Sequence, residues 1–560
     1  MRLVLCALVA PALLLGGCAT PAKPAKASAE IGAADSPYGM FLAGSAALSN
    51  GRSGEATRFL DLAQAQGASD PAVAERAFTA ALLAGDIPRA AALTSAAAGS
   101  EAVQRMGRLV NAVNALADDK GKLAKTALGV EPLGYPHRAA AALLGPWIAA
   151  AAGDAEGALV RPQLRGDAGV DYFGQIGQAH LFERVHRFDE AETDFKSVTA
   201  GEAPSDLAVM AYGAFLERRD RRAEALALYD AALTRHSDNL ALHRARDRAA
   251  AHKRAPAAPT IRQGAAFALL APAATMSSAK QDQIALAYLR LALHLDPQRQ
   301  DAWLMLGDQL QQLGDVDNAR EAYGKAKPGS PDHVAAQTKL AWSYQATGDK
   351  EMALKLARVG AASGDVDARR TLGDLLRANE AFAEAANIYT ALLAETKAPD
   401  WALLFARGSA YERLDRWPEA EADLLAALRL RPEEPELLNY LGYAWIDRGE
   451  RLKEAMSMVE RAVAANPRSG AMVDSLGWAR YRLGDFKGAV ETLEQAIELL
   501  AGDPEINNHL GDAYWMVGRK DEAVFQWRRV LTLKPDGKVK ADAERKLASG
   551  LGPTSTVAGP

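Results

Sequence analysis

Near its C-terminal end the chain repeats polar and aromatic side chains at intervals of 34 or 35 residues, the arrangement expected of a repeated binding site. Amide and carboxylate groups at equivalent places can hydrogen-bond an extended peptide backbone, and aromatic and arginine side chains are frequent energetic anchors of interfaces. An alternative is that these groups pack or bond between neighbouring repeats. The predicted protein-binding groove contains Asn439, Tyr443, Asp474, Trp478, Arg482, Asn508, Asp512 and Trp515.

Groups that could support catalysis or bind a metal are scattered along the chain. Among its nine histidines, His180 and His186 lie six residues apart, whereas a helical zinc pair is spaced by four. The acidic pair Glu433-Glu434 lies between two prolines, where a solvated turn accounts for it. No glycine-rich phosphate loop is present. We therefore predict no catalytic residue, no metal site and no cofactor, and a protein that is not an enzyme.

The same period appears in the small residues that must position the groove. Glycine recurs in four successive units, alanine follows each glycine after twelve or thirteen residues, and proline closes three of the units. A period of this length predicts stacked helical pairs, each too small to bury its own apolar face. The residues are Gly408, Gly442, Gly477 and Gly511; Ala420, Ala455, Ala489 and Ala523; and Pro432, Pro467 and Pro535.

The first eighteen residues predict export and a lipid anchor. Arg2 precedes an apolar stretch from Leu3 to Leu15, which is shorter than the roughly 20 residues a spanning helix needs. This length and charge are typical of a secretory signal. The stretch ends in Leu15-Gly16-Gly17-Cys18, which resembles the lipobox of bacterial lipoproteins and implies cleavage before Cys18 and lipidation there. Ala19 after the cysteine resembles the pattern for outer-membrane sorting.

Composition is that of an exported globular body. The chain has 65 basic and 70 acidic residues, so it lacks the basic excess typical of a nucleic-acid-binding protein. Its two cysteines are Cys6, inside the predicted signal, and Cys18. The mature body is therefore predicted to have no disulfide, and packing alone must stabilise it.

Breaks in the pattern predict the domain organisation. The charged stretch from Arg244 to Arg262 contains Ala255-Pro256-Ala257-Ala258-Pro259, which interrupts the helical pattern and predicts a hinge between two arcs. The predicted segments are a signal peptide (1–17), a flexible tether (18–37), a degenerate helical-repeat arc (38–243), a linker (244–263), a regular repeat arc (264–537), a capping helix (538–549) and a disordered tail (550–560).

In residue type and spacing, these units resemble the tetratricopeptide repeat. The resemblance implies an all-α fold, a right-handed superhelical solenoid of roughly thirteen helical hairpins. Positions five, nine, twelve and thirteen of each first helix share one face, which lines the concave groove in that fold. Large aromatic residues at other repeated positions are predicted to be core: Trp303, Tyr344, Tyr389, Tyr514 and Trp527.

The last repeats carry a closer resemblance. Asn439-Tyr440-Leu441-Gly442-Tyr443, Asp474-Ser475-Leu476-Gly477-Trp478 and His509-Leu510-Gly511-Asp512 are similar to the C-terminal block of large tetratricopeptide lipoproteins of Gram-negative outer membranes. These include LbcA-type adaptors, which bind a carboxy-terminal processing protease and bring cell-wall hydrolases to it. The resemblance implies the same kinds of protein partner.

Two functions fit these patterns. The first is a lipid-anchored scaffold, on the periplasmic side of the outer membrane, that presents envelope or cell-wall-hydrolase substrates to a protease. The alternative is an assembly scaffold for polysaccharide or protein export. In both cases we expect protein partners, membrane attachment through the lipid alone, and no nucleic acid or small-molecule cofactor.

Overall fold

A computed structural model describes residues 36–66, 70–97, 99–201, 203–236, 239–328, 330, 332–396 and 399–551. The predicted signal peptide, Cys18, nearly all of the tether and the end of the tail lie outside these residues. Within the described residues every regular element is an α-helix, thirty in all, and consecutive helices pair as antiparallel hairpins. The predicted all-α architecture of helical hairpins is confirmed.

The described residues divide into two compact units, 36–368 and 369–551, which are described separately. The helices that begin in the first unit are α1 Pro37–Ser49, α2 Ser53–Ala65, α3 Pro71–Ala84, α4 Ile87–Leu93, α5 Glu101–Ala117, α6 Gly121–Leu128, α7 Arg138–Ala152, α8 Ala155–Ala158, α9 Ala168–Arg184, α10 Phe188–Thr199, α11 Asp206–Arg218, α12 Arg222–Leu233, α13 Leu240–Ala250, α14 Ile261–Ser278, α15 Asp282–Leu295, α16 Gln300–Gln312, α17 Val316–Gly324, α18 His333–Ala346, α19 Lys350–Ala361 and α20 Val366–Ala378.

The second unit continues the same alternation. Its helices are α21 Phe382–Glu395, α22 Trp401–Arg413, α23 Trp417–Leu430, α24 Pro435–Arg448, α25 Leu452–Ala465, α26 Gly470–Arg482, α27 Phe486–Leu499, α28 Pro504–Met516, α29 Lys520–Thr532 and α30 Gly537–Ser549. From α14 to α29 there are eight hairpins, as the repeat pattern predicts, and α30 lies where a capping helix is predicted.

Aspartate side chains begin many of the second helices. The carboxylates of Asp315, Asp349 and Asp485 each accept a hydrogen bond from a backbone N–H of the first helical turn. These N–H groups have no partner within the helix, so an N-cap of this kind typically stabilises it by about 1 kcal/mol. The short turn before each helix therefore fixes where the hairpin reverses.

Small residues bring the two helices of each hairpin together. A Cβ added to Gly511 would lie 2.5 Å from Nε1 of Trp527, and one added to Gly477 would lie 2.6 Å from Cγ of Leu493. The repeated alanines Ala420, Ala455, Ala489 and Ala523 are fully buried. The small-residue prediction is therefore confirmed: these positions are buried where the two helices of a hairpin meet, and a larger side chain would not fit there without a shift.

In the first unit, one hairpin packs on the others in a way that the repeat pattern does not predict. Helix α14 contacts α7 and α9, and α15 contacts α3, α4 and α5. Nine side chains of α15 are buried, on several sides of the helix, as expected of a helix with neighbours all round. The α14–α15 hairpin therefore covers the faces of the first helices α3, α5, α7 and α9.

Polar bonds fix this hairpin in place. Arg290 donates to the carbonyl of Leu83 at 3.0 Å, and Nδ1 of His137 lies 2.7 Å from the Tyr288 hydroxyl. These bonds join residues more than a hundred positions apart, and one hydrophobic core runs through both sets of helices.

The predicted hinge differs from the division in the structure. Of the predicted linker (244–263), residues 251–260 lie outside helices, whereas 244–250 belong to α13 and 261–263 to α14. Helices on both sides of this segment share one core. The two compact units instead divide between Ala368 and Arg369. The reason is that α14 and α15 are apolar enough to bury a second face, and that face packs on α3–α9.

Candidate functional site

The predicted groove residues lie on α24, α26 and α28, the first helices of three successive hairpins. We call the surface made by these three helices the last-block face. Apart from the contacts of the Tyr443 side chain with α28, these helices pack on helices no more than two positions away in the chain. Unlike α3–α9, they are not covered by a distant hairpin among the described helices.

Asp474 is an internal partner of the next repeat. Its two carboxylate oxygens each lie 3.1 Å from Nδ1 of His509, and Asp474 is only 6% exposed. Burial would lower the pKa of His509, but the charge and hydrogen bond of Asp474 outweigh it and raise that pKa to about 9. The two side chains form a buried ion pair between α26 and α28.

Trp478 is the centre of a three-ring stack. Its ring lies 4.1 Å from that of His509 and 4.6 Å from that of Tyr481, measured between centroids, with interplanar angles of 12° and 8°. Because His509 carries a charge, its contact with the tryptophan face adds a cation–π attraction. The stack orients Trp478, which is half-buried.

Tyr443 connects hairpins that are not neighbours in sequence. Its hydroxyl, on α24, donates to the Glu505 carboxylate at the start of α28 at 2.7 Å. Burial and the charge of Glu505 raise the pKa of Tyr443 well above its usual value, so the phenol stays protonated. This bond crosses the last-block face and passes over α26.

Asn508 and Asp512 attach the final helix. Lys546, on α30, donates to Oδ2 of Asp512 at 2.7 Å and to Oδ1 of Asn508 at 3.1 Å. Asn508 donates in turn to Asp542 at 2.9 Å, and Nε1 of Trp527 donates to Asp512 at 3.0 Å. A buried charge needs such partners, and the network supplies them.

The other predicted residues are more accessible. Arg482 donates to the carbonyl of Asp447 at 2.8 Å and is half-buried. Trp515 packs against Trp527 with ring centroids 5.3 Å apart. Asn439 is half-buried, and its Oδ1 has no hydrogen-bond partner in the described part of the chain.

These contacts divide the predicted groove residues into two groups. Asp474, Asn508 and Asp512 bond within and between repeats, which is the alternative role considered for them, because buried polar groups must be paired. Their side chains are not available to a peptide without breaking those bonds. Peptide binding stays a prediction for Asn439, Tyr443, Trp478, Arg482 and Trp515.

Sequence reasoning overlooked three members of this network: His509, Glu505 and Lys546. The repeat period contains a signal for one of them, since Lys546 follows Asp512 by 34 residues and occupies the same position on the next first helix. The core aromatics were predicted correctly for Tyr389, Tyr514 and Trp527, which are buried; Trp303 and Tyr344 are half-buried.

Among the described residues, no cluster of three or more histidine, cysteine, aspartate or glutamate side chains could hold a metal ion. No described helix has both the length and the apolar character needed to cross a bilayer.

Comparison with known proteins agrees with the hairpin geometry. A family model described as "Tetratricopeptide repeat" matches residues 176–239, 283–334, 370–435 and 405–470, and one described as "TPR repeat" matches 477–518. A TPR repeat-containing protein of Pseudomonas aeruginosa is 34% identical over 113 residues, which are 20% of this chain and 19% of that protein. The match thus spans about a fifth of that relative's length.

Several solved protein structures also match this chain, at low sequence identity. A tetratricopeptide repeat protein from Parabacteroides merdae has 16% identity and a TM-score of 0.38, covering 45% of this chain and 99% of that one. The Cut9-Hcn1 hetero-tetramer of the APC/C has 15% identity and a TM-score of 0.40, covering 92% and 96%. MamA from Desulfovibrio magneticus has 20% identity and a TM-score of 0.27, covering 30% and 94%.

The helical hairpins, their close-packed small residues and the matched segments lead to one conclusion. The described residues form an all-helical fold of tetratricopeptide-type hairpins, matched as such repeats in the segments given above, and repeats of this type generally mediate protein–protein interaction.

Proposed function

We propose that this chain is a lipid-anchored periplasmic scaffold that binds protein partners through the last-block face. In this proposal a protease of the carboxy-terminal processing class binds there, and envelope proteins or cell-wall hydrolases are presented to it. The scaffold itself contributes no catalytic group. The lipobox-like Leu15-Gly16-Gly17-Cys18 supports the anchor, and the tetratricopeptide repeats support the scaffold role.

One observation supports the choice of surface. The first-helix faces of α3, α5, α7 and α9 are covered by the α14–α15 hairpin, whereas the substantial contacts of α24, α26 and α28 are all with near neighbours in the chain. A partner that binds α24–α28 would therefore not have to displace a distant helix.

The chemistry of the last-block face suits a protein partner. Tyr443, Trp478, Arg482 and Trp515 are half-buried, so each offers part of its side chain while its neighbours hold it in place. Pre-organised aromatic and arginine side chains lose little conformational entropy on binding, which is why they dominate interface energetics.

A pull-down from detergent-solubilised envelopes tests this surface. The variant Arg482→Glu reverses one charge on the last-block face, and Arg528→Glu makes the same change on the exposed side of the second helix α29. We expect a periplasmic protease to be retained by wild type and by Arg528→Glu but lost from Arg482→Glu. Equal retention by all three would remove the last-block face from the proposal. Recovery of an export channel or polymer synthase instead would favour the export role.

A separate experiment tests the anchor. Cells expressing wild type or Cys18→Ser are labelled with an alkyne analogue of palmitate. We expect label on the wild-type chain and none on the variant, which should leave the membrane fraction. Label on both chains would contradict lipidation at Cys18.

A further inference from the structure

An open cleft of about 360 Å³ lies in the first unit, beside the ends of α9 and α11 and the extended segment 253–260. Its lining combines cationic and apolar side chains, including Arg184, Phe188, Arg218, Arg219 and Pro259. We call it the arginine cleft. It lies in a different unit from the last-block face.

Arg218 forms a fixed part of the cleft wall. Its Nε and Nη2 donate to the two oxygens of Glu183 at 2.6 and 2.7 Å, and its Nη1 donates to the carbonyl of Pro256 at 3.0 Å. The carboxylate of Glu183, which is the only acidic group among the cleft-lining residues, is neutralised by this bidentate pair. Arg218 also holds the extended segment against α11.

Arg184 and Arg219 have no such partner. Both are exposed, and neither side chain makes a hydrogen bond or ion pair with any residue that the structure describes. The Arg219 guanidinium lies 3.8 Å from the ring centroid of Phe188, a cation–π contact that orients it while leaving its N–H groups unused. Two cations, of which Arg219 is oriented by Phe188, therefore line an open cleft without counter-ions among the described residues.

The neighbouring sequence adds positive charge. Residues 244–262 contain six basic side chains and a single acidic one, Asp247. Arg248 is paired with Glu217 at 2.6 Å, and Arg246 with Asp230 at 3.0 Å. Lys253 and Arg254, in the extended segment that borders the cleft, are exposed. The extended segment therefore adds positive charge beside the cleft, although the whole chain is acidic.

We propose that the arginine cleft binds an acidic peptide segment of a partner protein. Two carboxylates of the segment pair with Arg184 and Arg219, and an apolar side chain between them packs on Phe188 and Pro259. Guanidinium groups bind carboxylates through paired N–H donors, which gives both charge and geometric selectivity. A concave cavity with an apolar wall favours a peptide over a membrane surface, which would contact protruding cations instead.

This site is independent of the protease proposed for the last-block face. Because both guanidiniums are exposed, each ion pair is weak and screened by salt, so the affinity depends on the two acting together. Loss of both charges should therefore weaken binding far more than an equal change elsewhere.

Fluorescence anisotropy with the full-length mature chain in detergent tests the proposal. The probe is a fluorescein-labelled peptide of six glutamates around one central phenylalanine, and its matched control has glutamines in place of the glutamates. We expect saturable binding of the glutamate peptide only. The double variant Arg184→Glu/Arg219→Glu should weaken binding at least tenfold, and added salt should weaken the wild-type interaction.

A second double variant separates the cleft from overall charge. Lys122→Glu/Arg138→Glu changes the net charge by the same amount at exposed positions that do not line the cleft. We expect it to bind the peptide like wild type, with an unchanged circular dichroism spectrum for all chains. The proposal is overturned if the peptide fails to bind or if both double variants weaken binding equally. It is also overturned if only vesicles containing anionic lipid bind in an Arg184- and Arg219-dependent manner.

Discussion

At the scale of single residues, buried charged groups of the second unit are paired between neighbouring helices. Asp474 and His509 neutralise one another between α26 and α28, and Lys546 does the same for Asp512 between α28 and α30. Removing one member of such a pair leaves a buried charge without a partner, at a cost of about 3–5 kcal/mol. Asp474 therefore stabilises the stack of hairpins, and a variant at this position cannot serve as a clean test of partner binding.

The His509–Asp474 pair predicts loss of stability in alkaline solution. The folded-state pKa of His509, about 9, lies above the ordinary value near 6.5. The contribution of this ion pair to the free energy of unfolding is therefore complete below about pH 6.5 and declines as the pH rises towards 9. Urea titrations of the full chain across this range should show the decline, and Asp474→Asn should be less stable and lose the pH dependence. Parallel pH profiles for the two chains would contradict the pairing.

The buried His137 predicts a loss of stability in acidic solution. Burial, with a smaller effect from the charge of Arg105, lowers the pKa of His137 to about 4, and its ring bonds to Tyr288. The unfolded chain binds a proton below about pH 6.5 while the folded one does not, so stability should fall between about pH 6.5 and 4. Thermal melts of wild type and His137→Asn measure this. The variant should show a shallower dependence; an identical slope would assign the acid sensitivity to other groups.

At the scale of elements, the glycine and alanine positions were predictable from sequence because close helix packing admits few residue types. The same reasoning located Gly408, Gly442, Gly477 and Gly511 and their contacts within each hairpin. It could not show that α14–α15 would cover α3–α9. An apolar helix pattern shows that a face must be buried, but it does not identify the surface that buries it.

The glycine at the α14–α7 crossing gives a direct test of that packing. A Cβ added to Gly264 would lie 2.1 Å from the ring of Trp147, so Gly264→Ala must displace the indole. We expect a loss of about 1–3 kcal/mol in the free energy of unfolding. Gly54→Ala is the control: Gly54 lies in the first turn of α2 with open space around it, and alanine there should be neutral or stabilise the helix by up to about 1 kcal/mol. Equal effects of the two changes would contradict the close approach of α14 and α7.

Part of the candidate site was also predictable from the sequence, because the repeat period places equivalent residues. Repetition identified α24, α26 and α28 and the residues of their shared face, since equivalent positions of successive repeats lie side by side. Whether Asp474 binds a partner or His509 could not be derived from spacing, because both residues lie on that face. Asp474 binds His509 because both side chains are buried between α26 and α28. That burial depends on how the three helices pack, which the spacing of the residues does not show.

At the scale of the whole molecule, the two compact units predict which truncations fold. Residues 36–250 lack α14 and α15, so the apolar faces of α3, α5, α7 and α9 would be exposed to water. We expect this fragment to aggregate or to unfold without a cooperative transition, whereas 36–368 should melt cooperatively. Circular dichroism melting of both fragments is the measurement. A cooperative transition for 36–250 equal to that of 36–368 would show that the hairpin is not part of the core.

The most direct test of the central claim is photo-cross-linking in living cells at single sites of the second unit. A photoreactive amino acid replaces the exposed Asp447 on the last-block face or the exposed Gln495 on the second helix α27. We predict a discrete adduct with a periplasmic protein from position 447 and none from position 495. Adducts from position 495 alone would place the partner on the opposite side of the hairpins and contradict the account.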